Sequence, residues 1–117
     1  MRTQKDAFPE LDRVKKFFPL GVENPQLLTK AQIDRYNDQG YFFPCDIFNA
    51  KEISEIRAYF DNLLLKTTAA GWNSYEITNW HKHCRGVYDL VTNSRILDYV
   101  QDLLGETLIL RHSHFFA

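Results

Sequence analysis

The sequence has few of the residues that build cysteine-rich scaffolds. Only two of its 117 residues are cysteines, Cys45 and Cys84, and they lie far apart without a C-x-x-C spacing. A small disulfide-built domain needs several closely spaced cysteines, and so does a zinc ribbon. The sequence therefore predicts two free thiols in a reducing compartment.

Long hydrophobic runs are also missing. No stretch approaches the ~18 apolar residues that cross a membrane. Near the N-terminus, Asp6, Glu10 and Asp12 interrupt the region where a signal peptide would be continuously apolar. These features predict a cytoplasmic protein that does not engage a membrane.

Neither sign of charge is in clear excess. Fourteen Lys and Arg stand against fifteen Asp and Glu, which gives a formal net charge of -1. Nucleic-acid binding requires a concentrated basic face, so this class of partner is not expected. The 44% hydrophobic and 25% charged composition is that of a folded globular domain with one core.

Prolines are unevenly placed, and they divide the chain. Three of the four lie among the first 25 residues, where no helical or strand period is sustained. We expect residues 1–27 to form an N-terminal arm that lies over the surface and is anchored by Phe17 and Phe18. The remaining part, residues 28–117, is expected to carry the fold.

Three segments after the arm have the pattern of capped amphipathic helices. Thr29 with Gln32 and Asn49 with Glu52 match the capping box, and Asn93 matches a simple N-cap. Gly40 and Gly105 are placed to end the first and third helices, and the second is expected to end before TTAAG. A further short helical turn is expected at VYDLV. The residues predicted to face the core are Ile33 and Tyr36, then Ile53, Ile56, Phe60, Leu63 and Leu64, and finally Ile96, Val100, Leu103 and Leu104.

The hydrophobic period changes after Gly105. Residues 107–117 alternate as a β-strand does, and the only other extended candidate, YFFPCDIF, is interrupted by Pro44. A lone strand cannot satisfy its own backbone N–H and C=O groups, so most of the sheet is expected to be missing from this chain. The predicted fold class is α+β.

Four histidines form two His-x-His pairs. A strand would place His112 and His114 on one face, about 7 Å apart, which suits two ligands of one divalent ion. A third ligand is needed, and neither H-x-[DE] nor H-E-x-x-H occurs. A zinc site made by His81, His83 and Cys84 is therefore disfavoured against histidines hydrogen-bonded to neighbouring polar groups.

The segments LTKAQIDRYNDQGYFFPCDIFNAKEISEIRAYFDNLL and NWHKHCRGVYDLVTNSRILDYVQDLLGETLILRHSHFFA together resemble the N-terminal part of the phytanoyl-CoA dioxygenase family, over residues 28–117. The resemblance implies Fe(II)- and 2-oxoglutarate-dependent hydroxylation of a small organic or acyl substrate. It also implies that the predicted strand is the first of a double-stranded β-helix, a jelly-roll barrel.

The same resemblance limits what this chain can contribute. The family holds iron with a His-x-Asp and a distant His, and no residue here matches these positions, so the resemblance assigns no catalytic residue and no metal ligand. It places His81, Arg111, His112 and His114 on the wall of the substrate and co-substrate pocket. Fe(II) and 2-oxoglutarate belong to the intact family, and neither is expected to bind this chain alone. The expected partner is the missing C-terminal barrel portion, and the chain by itself is expected to be inactive.

A second hypothesis, from a different functional class, stays open. The three amphipathic helices are also consistent with a stand-alone helical binding or interaction module without catalysis. Such a module would be monodisperse and would unfold cooperatively by itself.

Overall fold

The computed structural model describes residues 16–116, and in this range the fold is all-helical. Its four α-helices are α1 (Lys30–Gln39), α2 (Ala50–Ala69), α3 (Arg85–Val91) and α4 (Ser94–Leu104). The loop between α2 and α3 contains two single 3₁₀ turns, Ser74–Glu76 and Trp80–Lys82. Since no sheet forms among the described residues, the predicted α+β class is wrong.

The predicted strand at residues 107–117 fails for a physical reason. Alternation of apolar and polar residues gives a segment two faces, but a strand also needs a neighbour to accept and donate its backbone hydrogen bonds. Within residues 16–116 this segment finds one isolated antiparallel bridge, between Thr78 and His114. The first strand of a jelly-roll barrel is therefore not formed, and Ala117 lies outside the described residues.

The local signals at the helix starts are confirmed. Thr29 Oγ1 accepts from Gln32 N–H while Gln32 Oε1 accepts from Thr29 N–H, so both arms of the capping box are made. Asn49 and Glu52 make the same reciprocal pair at the start of α2. These contacts satisfy backbone donors that every helix N-terminus leaves open.

The helix ends follow the sequence less closely. Gly40 adopts a left-handed conformation (φ 80°) and ends α1, and Gly105 follows α4, as predicted. The α2 helix, however, continues through the two threonines to Ala69 instead of ending before them. Thr67 and Thr68 are accommodated because each hydroxyl donates to a carbonyl one turn earlier.

The core is small for the number of apolar residues in the chain. Within residues 16–116 the buried hydrophobic side chains are Leu28, Ile33, Ile77 and Val87. The predicted core faces of α2 and α4 are only half-buried at most positions, and Ile53 and Leu104 are largely exposed. Each buried side chain of this size contributes about 1.5–3 kcal/mol to the stability of the fold. Polar contacts between the helices and loops add to this small core.

The most buried polar contact joins the N-terminal arm to α4. Asp102, only 3% exposed, accepts backbone N–H groups of Gln26, Leu27 and Leu28 at 2.8, 2.7 and 2.6 Å. Burial opposes ionisation of this carboxyl, but the three donors outweigh it and lower the pKa of Asp102. Asp102 thus holds the end of the arm against the helix.

The arm is attached by its backbone and not by the aromatic residues expected to anchor it. Gly21 and Val22 donate N–H groups to the carbonyls of Leu103 and Asp102 at 2.8 and 3.0 Å. Phe17 and Phe18, by contrast, are mostly exposed, so the prediction that they anchor the arm is wrong. The earlier arm residues, 1–15, lie outside the described part of the chain.

Tyr59 connects α2 to α3. The N-cap of α3 is Cys84, which makes no side-chain cap, and the end of the Tyr59 ring lies against Gly86 in the first turn of α3. Burial raises the pKa of the Tyr59 hydroxyl. A Cβ atom at Gly86 would overlap the Tyr59 ring, so the close approach of the two helices depends on glycine.

An ion pair connects the starts of α2 and α4. Arg95 donates to both carboxylate oxygens of Glu52, at 3.2 and 2.7 Å, and its guanidinium lies 4.9 Å from the centre of the Phe48 ring. The Arg95 hydrogen bond, together with the capping contact from Asn49, lowers the pKa of Glu52. One carboxylate therefore serves both as a helix cap and as a bridge between helices.

Among the residues that the structure describes, none of the helices combines the length and the apolar character needed to cross a bilayer.

Candidate functional site

The C-terminal segment returns to the loop between α2 and α3, and this crossing brings the histidines together. Asn79 N–H donates to the Ser113 carbonyl at 2.7 Å, and Ser113 N–H donates to Asn79 Oδ1 at 3.2 Å. Two residues further out on each side, Phe115 N–H donates to the Ile77 carbonyl at 3.2 Å. The crossing is therefore fixed by three hydrogen bonds around the Thr78–His114 bridge.

Asn79 makes this crossing possible through its backbone conformation. It has a left-handed backbone with φ 60°, the one non-glycine residue with positive φ in the described range. Asparagine tolerates this region better than most residues because its short side chain hydrogen-bonds locally. The turn at Asn79 starts the 3₁₀ turn that carries His81.

His81 is the buried member of the four histidines. Its side chain is 8% exposed, and Nδ1 lies 2.6 Å from Ser113 Oγ. An imidazole nitrogen can donate to or accept from a hydroxyl, so the serine fixes the ring orientation in either tautomer. His81 is held facing the C-terminal segment, 32 residues later in the chain.

His114 has a nitrogen that finds no partner among the described residues. Its Nε2 atom is buried and makes no hydrogen bond, while the ring stacks on Phe116 with centroids 4.3 Å apart. Burying a polar atom without a partner costs about 1–3 kcal/mol, so such atoms are often ligand contacts. A carboxylate or hydroxyl placed here would satisfy this nitrogen.

The other predicted site residues lie further out. The His112 ring is 6.2 Å from that of His114, centre to centre, but His112 and Arg111 are exposed. The structure thus brings His81 to Ser113, and leaves His112 and Arg111 at the solvent side. His83 is exposed as well. Among residues 16–116, no three His, Cys, Asp or Glu side chains are arranged to hold a metal ion.

Ser113 and Asn79 were not singled out from the sequence. Both act through contacts that join positions more than thirty residues apart, and no local pattern reports such a contact. The one available signal was Asn79 itself, since asparagine is favoured where the backbone takes a positive φ.

A second feature lies beside this crossing. An open cleft of about 550 Å³ contains both tryptophans of the chain, Trp72 and Trp80, whose rings meet edge to face at 6.5 Å. We call it the tryptophan cleft; it is lined by Trp72, Glu76, Thr78, Asn79, Trp80, Lys82, His83 and Cys84. Its walls combine the two tryptophan rings with polar and charged side chains.

Comparison with known proteins gave no match to any family model, curated protein or solved structure.

Proposed function

We propose that this chain is the N-terminal segment of a non-haem Fe(II)- and 2-oxoglutarate-dependent dioxygenase that hydroxylates a small organic or acyl substrate. The observation that carries the proposal is the contact between His81 and Ser113. The resemblance assigns His81 and the histidines around Ser113 to one pocket wall, although thirty residues separate them. In support, the fold brings His81 to Ser113, on the segment that carries His112 and His114.

The described side chains suit a carboxylate-bearing small molecule better than they suit iron. Arg111 supplies an exposed guanidinium, a group that pairs with carboxylates, on the segment that carries His112 and His114. The ligand set of such an enzyme, two histidines and one carboxylate on a shared metal, is not assembled by residues 16–116. We therefore assign no oxidation step to this chain, and its proposed role is to bind and orient the organic molecules.

The reading frame beyond codon 117 gives the first test. We expect it to continue and to encode a His-x-Asp within a few tens of codons. The product of the whole frame should form succinate from 2-oxoglutarate when Fe(II) is added, whereas the 117-residue chain should not. Turnover by the short chain, or a whole product with neither the motif nor the activity, would reject the proposal.

A matched pair of variants tests the pocket wall in the whole product. His81→Ala removes the buried ring that contacts Ser113, and His83→Ala removes an exposed ring two residues away. Misplacing pocket groups by about 1 Å can cost up to ~100-fold, so we expect His81→Ala to lower kcat/KM by about tenfold or more. His83→Ala should stay within about twofold. Equal effects of the two variants would remove His81 from the pocket.

The tryptophan cleft favours a second candidate, a helical binding module without catalysis. Small-molecule sites are concave and combine apolar or aromatic walls with a few polar groups, and the cleft offers two tryptophan rings beside polar side chains. Under this alternative the 117-residue chain should unfold cooperatively by itself, and no product of the reading frame should consume 2-oxoglutarate. Succinate formation by the whole product would decide against it.

A further inference from the structure

The backbone of Ser113 is held on both sides by a single residue. Its carbonyl accepts the Asn79 N–H at 2.7 Å, and its own N–H donates to Asn79 Oδ1 at 3.2 Å. Asn79 directly precedes the 3₁₀ turn Trp80–Lys82, so these two bonds fix Ser113 relative to the turn that carries His81. The Ser113 hydroxyl therefore meets His81 Nδ1 from a defined direction, at 2.6 Å.

The length of this contact indicates which of the two groups donates. Hydrogen bonds from N–H to oxygen span about 2.7–3.2 Å, whereas hydroxyl donors make bonds of about 2.5–3.0 Å. The separation of 2.6 Å between Ser113 Oγ and His81 Nδ1 falls in the range of hydroxyl donors alone. Among residues 16–116 the hydroxyl has no other hydrogen-bond partner, so donation to Nδ1 is the arrangement that satisfies its hydrogen.

A serine that donates to Nδ1 determines where the histidine keeps its proton. A neutral imidazole carries one proton, and the nitrogen that accepts a hydrogen bond is the one without it. The neutral His81 ring is then protonated at Nε2, on the side of the ring away from Ser113. The hydrogen-bonding group that His81 has left for another partner is therefore a donor.

His81 Nε2 is accessible although the residue is mostly buried. It makes no hydrogen bond with the residues that the structure describes, yet the buried nitrogen without a partner in that part of the chain is His114 Nε2 and not His81 Nε2. The 8% of His81 that stays exposed therefore includes Nε2. A molecule beside this crossing can reach the donor.

We propose that Ser113 is a positioning residue that holds neutral His81 as its Nε2–H tautomer, so that His81 offers the bound organic molecule a hydrogen-bond donor. The matching group on that molecule is an acceptor, a carboxylate or carbonyl oxygen. The exposed Arg111 guanidinium favours the same kind of group. The role toward a bound molecule rests on the proposed function, whereas the tautomer is a property of the 117-residue chain.

Nuclear magnetic resonance of the 117-residue chain tests the tautomer. At about pH 8.5 imidazoles are neutral, and long-range ¹H–¹⁵N spectra show which ring nitrogen carries the proton. For His81 we expect the shift of a protonated nitrogen at Nε2 and of an unprotonated nitrogen at Nδ1. The exposed His83 should give values averaged between the two tautomers. Protonation of His81 at Nδ1, or averaging like that of His83, would overturn the proposal.

Two variants of Ser113 separate the effect of its hydroxyl from that of local packing. Ser113→Ala removes the donor and should move both ring nitrogens of His81 toward the averaged values of His83. Ser113→Thr keeps a hydroxyl and should restore the wild-type values. An unchanged His81 in Ser113→Ala would show that the serine does not set the tautomer. Loss of the tautomer in both variants would assign it to packing, and either result contradicts the proposal.

Two variants of His81 test the donor in the product of the whole reading frame. His81→Gln keeps an N–H donor close to the position of Nε2, and His81→Leu removes the donor at a similar volume. A hydrogen bond to a charged group is worth about 1.5–3 kcal/mol, or roughly tenfold and more. We therefore expect kcat/KM for succinate formation in His81→Gln to lie at least about fivefold above that of His81→Leu.

The outcomes of these experiments separate the inference from the proposed function. Equal kcat/KM values for His81→Gln and His81→Leu would overturn the donor role while the enzyme remains a dioxygenase. Absence of turnover in the wild-type product would reject the proposed function and the donor role with it. The tautomer would still stand or fall by the ring ¹⁵N shifts of the 117-residue chain.

Discussion

Two irregular segments contact or follow α4: residues 20–28, which contain the end of the arm and Leu28, and residues 106–112, which we call the open segment. They differ in how many of their backbone N–H groups are hydrogen-bonded. Six N–H groups of the arm reach acceptors: those of Leu20, Gly21, Val22, Gln26, Leu27 and Leu28. Among the described residues the open segment has none. One buried carboxylate, Asp102, accounts for half of the difference.

The contrast shows how a small helical chain can order a segment without regular structure. Three successive N–H groups that converge on one carboxylate make strong charge-assisted hydrogen bonds. Among the described residues, no comparable acceptor is hydrogen-bonded to the backbone of residues 106–112. The α4 helix therefore binds residues 26–28 through the Asp102 side chain, whereas the described structure gives residues 106–112 no such hydrogen bonds.

Asp102→Ala should reduce the difference between the two segments most strongly, because it removes the acceptor that holds residues 26–28. It leaves three N–H groups without an acceptor, in a site with little access to water, and we expect a loss of about 4 kcal/mol in the free energy of unfolding. Urea unfolding followed by circular dichroism measures this. Asp98→Asn, an exposed position on the same helix, is the control and should change stability by less than about 0.5 kcal/mol. Similar losses for both variants would show that Asp102 does not hold the arm.

Gly86→Ala should have the next largest effect. The added methyl group overlaps the outer end of the Tyr59 ring and must displace this ring from the start of α3, which we expect to cost about 2 kcal/mol. Thermal unfolding of Gly86→Ala, Tyr59→Leu and the double variant forms a cycle. If the two changes are simply additive, the overlap with Tyr59 is not the cause of the loss.

Lowering the pH should weaken the attachment of the arm to α4. The pKa of Asp102 is lowered in the folded chain, so its contribution is complete above the ordinary value of 3.8 and is lost as the pH falls through the lower folded value. The loss is smaller than in Asp102→Ala because a protonated carboxyl still accepts through its carbonyl oxygen. Stability of wild type and Asp102→Asn, measured from pH 6 to pH 2, should converge at low pH. A constant difference across this range would contradict the linkage.

Ile109→Ser should have the smallest effect on the single chain. The side chain is already in water, so at concentrations where the chain is monomeric the free energy of unfolding should change by less than about 0.5 kcal/mol. Chemical unfolding at low micromolar concentration measures it. A loss above about 2 kcal/mol would mean that Ile109 packs against its own chain.

The helix starts could be predicted from the sequence because they depend on neighbours in the chain. Thr29 with Gln32 and Asn49 with Glu52 each lie within one turn, so the pattern contains both partners. The terminal strand could not be predicted in this way. Alternation along residues 107–117 describes one side of a pairing, and the other side is not specified by those residues.

Burial was misjudged where a long-range contact decides it. On α4 the period favours Ile96, Val100, Leu103 and Leu104 as the core face, but the residue that is fully buried is Asp102. An aspartate in a sequence is expected to be exposed. Asp102 is buried because it accepts from the N–H groups of Gln26, Leu27 and Leu28, more than seventy residues earlier. For the same reason His81 could be proposed as a pocket residue while its partner Ser113 could not.

Amide hydrogen exchange in the dilute, monomeric chain tests the contrast between the two segments most directly. The N–H groups of Gln26, Leu27 and Leu28 should exchange at least about 100-fold more slowly than unprotected amides, and those of residues 107–112 should stay within about tenfold of the unprotected rate. Comparable protection of the two segments at this dilution would contradict the claim that the chain fastens the arm and leaves residues 106–112 unpaired.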